Sequence, residues 1–253
     1  MYKEFFTYNL SKTLTGASYT QFLFTDTELK IATDYDFEIN KISYVATSSS
    51  INVIMANRGI ADNMVTLNPM GLNITSIAGY ISRGVKSYIL SKPYLIKKGS
   101  KIAFEFQNYS LLSNTVRLSF HGTKIINNKD SELLSILSKE KEIGIYSNSK
   151  TVSASSKNTL IIQTDNDSYF SLKQMNGYSL GACLINFTSS GIQKDWMNEP
   201  THVSNILGTG SFSNNIVGEK ILAPNTVISV SLEDLSASSN TVYISLIGEK
   251  LYV

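Results

Sequence analysis

Residues 99–124 and residues 225–250 of this chain follow the same pattern, and this internal repeat constrains the fold more than any other feature of the sequence. Aligned without a gap at a separation of 126 positions, the two segments share nine identical residues in 26 pairs. The identities in the closing part are Asn114-Thr115-Val116 with Asn240-Thr241-Val242, Ser119 with Ser245, Gly122 with Gly248 and Lys124 with Lys250. Self-similarity of this kind indicates a duplicated structural unit, so we expect two copies of one fold.

The separation between the copies is larger upstream, where residues 31–36 match residues 162–167 at a separation of 131 positions. Deletions in surface loops of the second copy explain this drift, because loops tolerate changes in length that strands do not. A chain of 253 residues is long enough for two domains, each with its own core. We therefore predict one copy over residues 1–128, a helical linker over 129–143 and a second copy over 144–253.

Apolar and polar residues alternate in the repeated segments, as in strands that bury one face. The alternating apolar positions are Ile102, Phe104 and Phe106, then Val116, Leu118 and Phe120, and in the second copy Ile228, Val230 and Leu232, then Val242, Ile244 and Leu246. Further strands are predicted over residues 21–24, 37–45, 51–55, 64–67 and 87–90. Turn residues separate them. The predicted fold class is all-β, with two tandem β-sandwich, jelly-roll-like domains joined by a short helical linker.

The linker carries the one helical signal in the chain. Within residues 130–142, apolar side chains stand at positions 133, 134, 136 and 137, and Asp130 or Ser131 can cap a helix there. A helix of this length is marginal alone and needs a surface to pack on. It either braces the two sandwiches, touches a neighbouring subunit, or serves as a plain connector.

Charge and cysteine content limit the partners and the compartment. A formal net charge of +2 is too small to indicate a nucleic-acid or membrane partner, so neither is expected. The single cysteine, Cys183, cannot form a disulfide within the chain, which suits a reducing cytoplasm and indicates core packing for this side chain. Residues 1–10 do not have the pattern of a signal peptide, and no apolar run is long enough to span a membrane.

Residue types that usually perform catalysis or bind metals are scarce. His121 and His202 are the only histidines, and His121 falls where the second copy has Ile247. The sequence contains no nucleophile elbow, no metal-ligand spacing of His and Cys, and no phosphate-binding glycine loop. We therefore expect no catalytic residues, no metal site, no cofactor and no enzymatic activity.

A repeated pair of acidic residues is the remaining candidate for ion binding. Asp34 and Asp36 in the first copy match Asp165 and Asp167 in the second. Alternating carboxylates can bind Ca²⁺ when further oxygen ligands are close, but two acids alone are too few. Aspartate also builds turns at strand ends without any ion. The turn is the favoured interpretation, and Ca²⁺ binding is the alternative.

The only tryptophan lies in a polar loop of the second copy that has no obvious counterpart in the first. Trp196 and Met197 are candidates for a contact with a partner protein or a glycan, because both residue types are favoured at interface centres. Tyr80, Tyr88 and Tyr109 are further candidates for stacking on a sugar. The other interpretation is that Trp196 folds back and covers its own sandwich.

Three segments of the first copy resemble small β-sandwich virion proteins of tailed bacteriophages. They are residues 31–39, the pattern Pro93-x-x-Ile96-x-x-Gly99-Ser100-x-Ile102, and the closing strand Val116-Arg117-Leu118-Ser119-Phe120-His121-Gly122-Thr123-Lys124-Ile125. In the second copy the resemblance is carried by Thr164-Asp165-x-Asp167 and by residues 242–250, with Asn225 in place of Gly99. The Asn-, Ser-, Lys- and Ile-rich composition is similar to that of a phage of an AT-rich host, such as a crass-like phage.

The resemblance implies a non-enzymatic building block of the virion, either an auxiliary capsid protein or a ring subunit at the neck or tail. It implies a homo-oligomer that contacts capsid, portal or tail proteins and is assembled in the host cytoplasm. The alternative is a glycan-binding module of a receptor-binding or adhesive protein. Because Asn114, Ser119, Gly122 and Lys124 recur in both copies, we interpret them as turn and strand-end residues, and we expect the function where the copies differ.

Overall fold

A computed structural model describes residues 2–16, 24–48, 50–57, 72–76, 88–126, 135–136, 140–191, 195–208 and 213–252. Most of these residues form antiparallel strands. We refer to the described residues up to 126 as the first half, and to those from 140 onward as the second half. Each of the four sheets takes all its strands from one half.

Eight strands of the first half are arranged in the order of a jelly roll. They are β1 (Tyr2–Leu14), β2 (Phe24–Lys30), β3 (Asp36–Ala46), β4 (Ile51–Asn57), β5 (Leu72–Asn73), β6 (Tyr88–Ile96), β7 (Lys101–Asn108) and β8 (Asn114–Ile126), with a 3₁₀ turn at Ile74–Ser76. One sheet has the order β1-β8-β3-β6 and the other has the order β2-β7-β4-β5. All neighbouring strands are antiparallel. This double-sheet order is that of a jelly roll, which packs the two inner faces into one core.

The second half follows the same plan. Its elements are β9 (Lys141–Val152), β10 (Lys157–Gln163), β11 (Ser168–Ser179), β12 (Cys183–Ser189), β13 (Thr201–His202), α1 (Val203–Ile206), β14 (Asn214–Asn215), β15 (Ile221–Leu222), β16 (Val227–Asp234) and β17 (Asn240–Tyr252). One sheet has the order β9-β17-β11-β14, with β15 also pairing with β11, and the other has the order β10-β16-β12-β13. Strands β9, β17 and β11 are therefore the counterparts of β1, β8 and β3.

Each half has its own hydrophobic core, and the predicted alternation is confirmed. Phe104 and Phe120 are fully buried in the core of the first half. Val230 and Leu246 occupy the equivalent positions in the core of the second half. Cys183 is buried there too, and burial raises the pKa of its thiol to about 11. It packs as a small apolar side chain, as the sequence indicates.

The glycine of the closing motif is required inside the sheet rather than at a turn. Gly122 lies within β8, where a Cβ atom would stand 2.0 Å from the backbone oxygen of Glu38. Gly248 has the same place in β17, with a Cβ position 2.1 Å from the backbone oxygen of Ser171. The partner strand has a β-bulge next to each of these positions. The interpretation of Gly122 and Ser119 as strand-end residues is therefore wrong, because both lie in the interior of β8.

The asparagine of the motif does act at a strand end, as predicted. Asn114 opens β8, and its Oδ1 accepts hydrogen bonds from Thr47 Oγ1 at 2.6 Å and from the Ser48 N–H at 3.1 Å. Asn240 opens β17, and its Oδ1 accepts a hydrogen bond from the Gly181 N–H at 2.9 Å. In both halves this side chain holds the loop that follows the neighbouring strand, β3 or β11.

The turn at the start of the repeat is also shared. Gly99 has a φ of 72° and Asn225 a φ of 61°, so both adopt the left-handed conformation. Asparagine is one of the few residues besides glycine that adopt it readily. The replacement of Gly99 by Asn225 therefore leaves the turn before β7 and β16 unchanged.

The linker ends earlier than the sequence predicts. Strand β9 begins at Lys141, so the predicted linker over 129–143 includes three residues of this strand. Ser135 and Ile136 are helical, and Ile136 packs with Leu251 of the second half. The other residues of the predicted helix before 140 lie outside the described residues, as do the predicted strand residues 21–23, 64–67 and 87.

Strand β1 is not among the strands that the sequence predicts, because its side chains do not alternate between buried and exposed. All its residues from 4 to 10 are buried, although a strand on the outside of a sandwich buries only every second side chain. Because both faces are buried, the adjacent residues Phe5 and Phe6 are both apolar, and the sequence of β1 shows no alternation of apolar and polar residues. The second face of β1 is buried by the other half of the chain.

Candidate functional site

Strand β1 lies at the edge of its sheet, and the second half covers that edge. The Thr7 N–H donates to the Trp196 carbonyl at 3.0 Å, and the Phe5 N–H donates to the Glu219 carbonyl at 2.8 Å. The next outward-facing N–H group, that of Asn9, is also bonded to the second half. An uncovered edge strand presents free backbone groups that pair readily with other chains. In β1 the outward N–H groups of Phe5, Thr7 and Asn9 are hydrogen-bonded within the chain.

Phe5 extends this contact into the core of the second half. Its side chain is 1 % exposed and belongs to the same hydrophobic cluster as Trp196 and Met197. Next to it in β1, Glu4 Oε1 accepts a hydrogen bond from Lys220 Nζ at 3.0 Å, and the Lys220 side chain is fully buried. Burial lowers the pKa of Lys220 to about 8, although the Glu4 carboxylate acts in the opposite direction. Strand β1 is thus part of both halves.

Polar side chains on the outward face of the first sheet are sealed from water by the second half. Thr7 Oγ1 donates to His121 Nδ1 at 3.2 Å, and His121 Nε2 donates to Ser43 Oγ at 2.8 Å. The Ser43 hydroxyl donates in turn to the Asn205 carbonyl at 3.0 Å, which assigns the proton of the imidazole to Nε2. Burial, followed by the charge of Lys41, lowers the pKa of His121 to about 3. The imidazole is therefore neutral near pH 7.

Two further hydrogen bonds in this layer cross from one half to the other. Lys41 Nζ donates to Asn214 Oδ1 at 2.8 Å, and burial lowers the pKa of Lys41 to about 8. The hydroxyls of Ser119 and Thr201 lie 2.8 Å apart. Because buried polar groups are costly unless they are bonded, such a network favours one relative arrangement of the two halves.

Trp196 and Met197, the candidates for a partner or glycan contact, are buried at this boundary. Trp196 stacks on Phe187 with ring centroids 5.2 Å apart, and its Nε1–H donates to Ser189 Oγ at 3.1 Å. The indole is 0 % exposed and Met197 is 4 % exposed, so neither side chain is at the surface. The structure matches the other interpretation, in which Trp196 folds back on its own half. Its polar sequence neighbours do not reveal this, because the covering comes from residues distant in sequence.

The equivalent edge of the second half, strand β9, is open. Strands β1 and β9 pair with β8 and β17 in equivalent registers, which makes Ile143 the counterpart of Phe5 and Ile145 the counterpart of Thr7. Ile143 is 83 % exposed and Ile145 is 60 % exposed, whereas Phe5 and Thr7 are buried. The structurally equivalent position is therefore buried in the first half and exposed in the second half.

The backbone of this edge is open as well. Ile143, Ile145 and Ser147 direct their N–H and C=O groups away from β17, and in the part of the chain that the structure describes these groups have no hydrogen-bond partner. On the same outward face, Tyr178 and Tyr243 pair across β11 and β17 and are 58 % and 49 % exposed. We call these five residues the β9 surface. Exposed apolar groups beside a free strand edge mark an interaction site.

A cleft of about 700 Å³ lies between the halves and is lined by side chains of both. The Lys124 ammonium stands in it, 3.8 Å from the ring centroid of Phe6 and 4.7 Å from that of Tyr35. Burial lowers the pKa of Lys124. Its counterpart Lys250 instead bonds the Asp165 carboxylate. The lysine of the repeated motif thus has different partners in the two halves.

In the first acidic pair, Asp34 lies in the bend before β3 and Asp36 is the first residue of β3. In the second pair, Asp165 and Asp167 lie between β10 and β11. Asp36 accepts hydrogen bonds from the Lys98 N–H at 2.9 Å and from Lys97 Nζ at 3.1 Å, and these bonds lower its pKa. Among the residues with described positions, no three His, Cys, Asp or Glu side chains are grouped to hold a metal ion.

Three tyrosines are the remaining candidates for stacking on a sugar. The Tyr109 hydroxyl is hydrogen-bonded within its own half. The side chains of Tyr80 and Tyr88 are not among those that the structure describes.

The strand order and the β9 surface together define an all-β protein with jelly-roll sheets and one exposed strand edge. No protein-family model matches the chain, and no curated protein matches it. No helix in the described ranges is long and apolar enough to cross a membrane.

Solved structures similar to this chain include viral capsid jelly-roll proteins. An archaeal virus protein with a triple jelly-roll fold and turret assembly is 13 % identical with a TM-score of 0.29, covering 97 % of this chain and 59 % of that one. A structure from Sulfolobus turreted icosahedral virus is 14 % identical with a TM-score of 0.30, covering 97 % and 60 %. This chain thus spans about three fifths of the length of these two.

The major capsid protein P2 of bacteriophage PM2 is 10 % identical with a TM-score of 0.25, and the match covers 95 % of this chain and 98 % of that one. All three TM-scores are too low for the likeness to carry an argument. The jelly-roll assignment therefore rests on the strand order within each half.

Proposed function

We propose that this chain is a non-enzymatic structural protein of a tailed-phage virion, an auxiliary capsid protein or a ring subunit at the neck or tail. It acts by oligomeric packing. In this proposal residues 1–128 and 144–253 are two tandem jelly-roll domains with a short linker between them. The partners are further copies of the chain and capsid, portal or tail proteins, and assembly takes place in the host cytoplasm.

The β9 surface is the observation that carries the proposal. Exposed isoleucines beside unpaired backbone groups are unfavourable in a protein that remains alone, because they expose apolar area and invite uncontrolled pairing. They are favourable in a subunit whose edge is covered in the assembled particle. The resemblance of the closing strands to virion proteins of tailed phages supports the particle as the setting.

The buried polar groups also support a structural role. His121 and His202 are buried, and burial lowers their pKa values to about 3 and about 4, so neither titrates near pH 7. The raised pKa of the Cys183 thiol keeps it protonated. These groups hold strands and halves together, and they are not accessible to a substrate.

Purified phage particles provide the test. Quantitative mass spectrometry should find this chain in particles at a fixed ratio to the major capsid protein, and immunogold labelling should place it on the head, neck or tail. A phage replication protein from the same lysate serves as the control for contamination. Absence of the chain from particles, together with sugar binding on a glycan array, would contradict the proposal and favour the glycan-binding alternative.

A further inference from the structure

We propose that the β9 surface binds the first half of a second copy of this chain, in the way that β1 binds the second half within one chain. This inference rests on the proposed function in that it gives the oligomeric packing a surface and a partner. It concerns one contact, that of β9 with another chain.

The internal duplication supplies the geometry of this contact. In the first half, the outer edge of β1 pairs with Trp196 and Glu219, and Phe5 enters the neighbouring core. The same edge in the second half has free N–H and C=O groups at Ile143 and Ile145. Two copies of one fold offer equivalent binding positions at equivalent strands. We infer that the second position is also filled, by a partner outside the chain.

The partner can be identified from the surfaces that are already engaged within each chain. The segments that cover β1, at residues 195–198 and 219–220, are engaged within their own chain. They are therefore not free to cover β9 of another chain. The counterpart of residues 219–220 in the first half is residues 93–94, because the pair Phe170 and Leu222 has the same register as the pair Phe37 and Ile96. Residues 93–94 lie in β6, which is the other edge strand of the first sheet. A second copy therefore presents its first half to β9.

A contact of this type joins two different surfaces and is heterologous. The first half of each chain covers the second half of the next, while the contact within each chain has the same form. Heterologous contacts generate a closed ring when the rotation between subunits closes, and an open filament when it does not. First and second halves then alternate around the assembly. Each second half covers β1 of its own chain, and each first half covers β9 of the next chain.

The chemistry of the surface fits this partner. Ile143 is the counterpart of a phenylalanine that is buried in a neighbouring core, so its apolar side chain suits the same environment. Free N–H and C=O groups in alternate positions along β9 match a chain that offers carbonyls and N–H groups, as residues 196 and 219 do for β1. Lysine at positions 143 and 145 would place two charges where apolar contact is needed.

Analytical ultracentrifugation of the full-length protein tests the surface. The unmodified protein should form oligomers, and the double variant Ile143→Lys/Ile145→Lys should associate about 100-fold more weakly or worse. The matched control is Ile161→Lys on β10 in the other sheet of the same half, where Ile161 is 44 % exposed. It should leave association unchanged. Because all three side chains are exposed, thermal unfolding of the variants should match the unmodified protein.

A monomeric unmodified protein would overturn the inference, and so would oligomers that both variants weaken equally or not at all. Neither result bears on whether the chain is present in virions, so failure here is distinct from failure of the proposed function. If the double variant does not fold, cross-linking of the unmodified protein decides the matter.

Lysine cross-linking of a mixture of unlabelled and ¹⁵N-labelled protein identifies the partner half. Lys141 and Lys150 lie on β9 and are exposed. Mixed-isotope cross-links from these lysines should lead to lysines of the first half. Mixed-isotope links only from β9 to β9 would show a two-fold pairing of edges and would overturn the inference, as would links only to the rest of the second half.

Discussion

Lys220 Nζ donates to Glu4 Oε1 at 3.0 Å across the boundary between the two halves, with side chains that are 0 % and 9 % exposed. Removing one partner of a buried ion pair leaves the other charge without compensation. We expect Glu4→Gln to lower the free energy of unfolding by about 3 kcal/mol. Denaturant unfolding followed by fluorescence of Trp196, which lies beside this pair, measures the loss.

The matched control for Glu4→Gln is Glu28→Gln, since the Glu28–Lys101 pair of 2.8 Å is exposed. Exposed ion pairs contribute little because water screens them, so a loss below about 1 kcal/mol is expected. Equal losses in the two variants would show that the buried pair adds nothing beyond a surface pair.

Both histidines make stability depend on pH. Burial is the main reason why the pKa of His121 is lowered to about 3 and that of His202 to about 4. In an unfolded chain the pKa of histidine is about 6.5. Below pH 6.5 the unfolded chain therefore binds protons that the folded protein does not. The contribution of the two neutral histidines to the free energy of unfolding is therefore fully present above pH 6.5 and is lost as the pH falls below it. Each histidine should contribute a loss of about 2 kcal/mol between pH 7 and pH 5.

His202→Asn separates the two contributions. His202 Nδ1 accepts a hydrogen bond from the Ser204 N–H at the start of α1, and asparagine can keep this capping bond. The variant should show about half of the pH dependence of the unmodified protein in denaturant titrations at several pH values. An unchanged slope would mean that His202 is not buried in its neutral form.

Gly122 and Gly248 should not tolerate a methyl group. A Cβ atom at either position would overlap a backbone oxygen, at 2.0 Å from Glu38 and 2.1 Å from Ser171. Because a backbone cannot move aside without breaking its strand pairs, Gly122→Ala should cost about 3 kcal/mol or more. Calorimetric melting of Gly122→Ala and Gly248→Ala tests whether the two halves respond alike.

Gly191→Ala is the comparison for these variants. Apart from its chain neighbours, no atom of the described residues lies within 4 Å of its Cβ position, so the cost comes from its φ of 99°. A loss of about 1 kcal/mol is expected. If Gly122→Ala cost no more than Gly191→Ala, close approach of the strands would not be the reason for the repeated glycine.

Trp196 should act as a core residue. Trp196→Ala removes a ring that stacks on Phe187 and should lower the free energy of unfolding by about 4 kcal/mol. Ser189→Ala, which removes the acceptor of the indole N–H, should cost about 1 kcal/mol. Chemical denaturation followed by circular dichroism measures both. A fully stable Trp196→Ala variant that lost binding to a partner or glycan would instead support a contact role.

Residues of the repeated segment show how far prediction from sequence extends. The alternation that ends in Phe120 and Leu246 predicts core-facing strands correctly, because side chains on a strand point to opposite faces in turn. Asn114 is recognised as a strand-end residue, since asparagine commonly bonds nearby backbone groups at loops. Gly122 is misinterpreted, because a close approach between two strands leaves no trace in the residues next to the glycine.

Elements at the boundary between the halves are those that the sequence does not predict. Strand β1 lacks alternation because the second half buries its other face, and Trp196 lies among polar sequence neighbours although distant residues cover it. The β9 surface is not predicted from sequence for the same reason. Ile143 and Ile145 are ordinary strand residues in sequence, and their significance depends on whether another surface covers them.

The sequence by itself determined that this protein is an all-β chain with repeated Asn and Gly positions, because strand alternation and these positions depend on pairing inside each half. Only the tertiary structure decided which copies of the repeated positions are buried. Burial of Phe5 and exposure of Ile143 result from how two folded halves meet, and that contact joins residues roughly 200 positions apart in the chain. Such contacts have no local pattern, so the open edge of β9 is visible only in the folded protein.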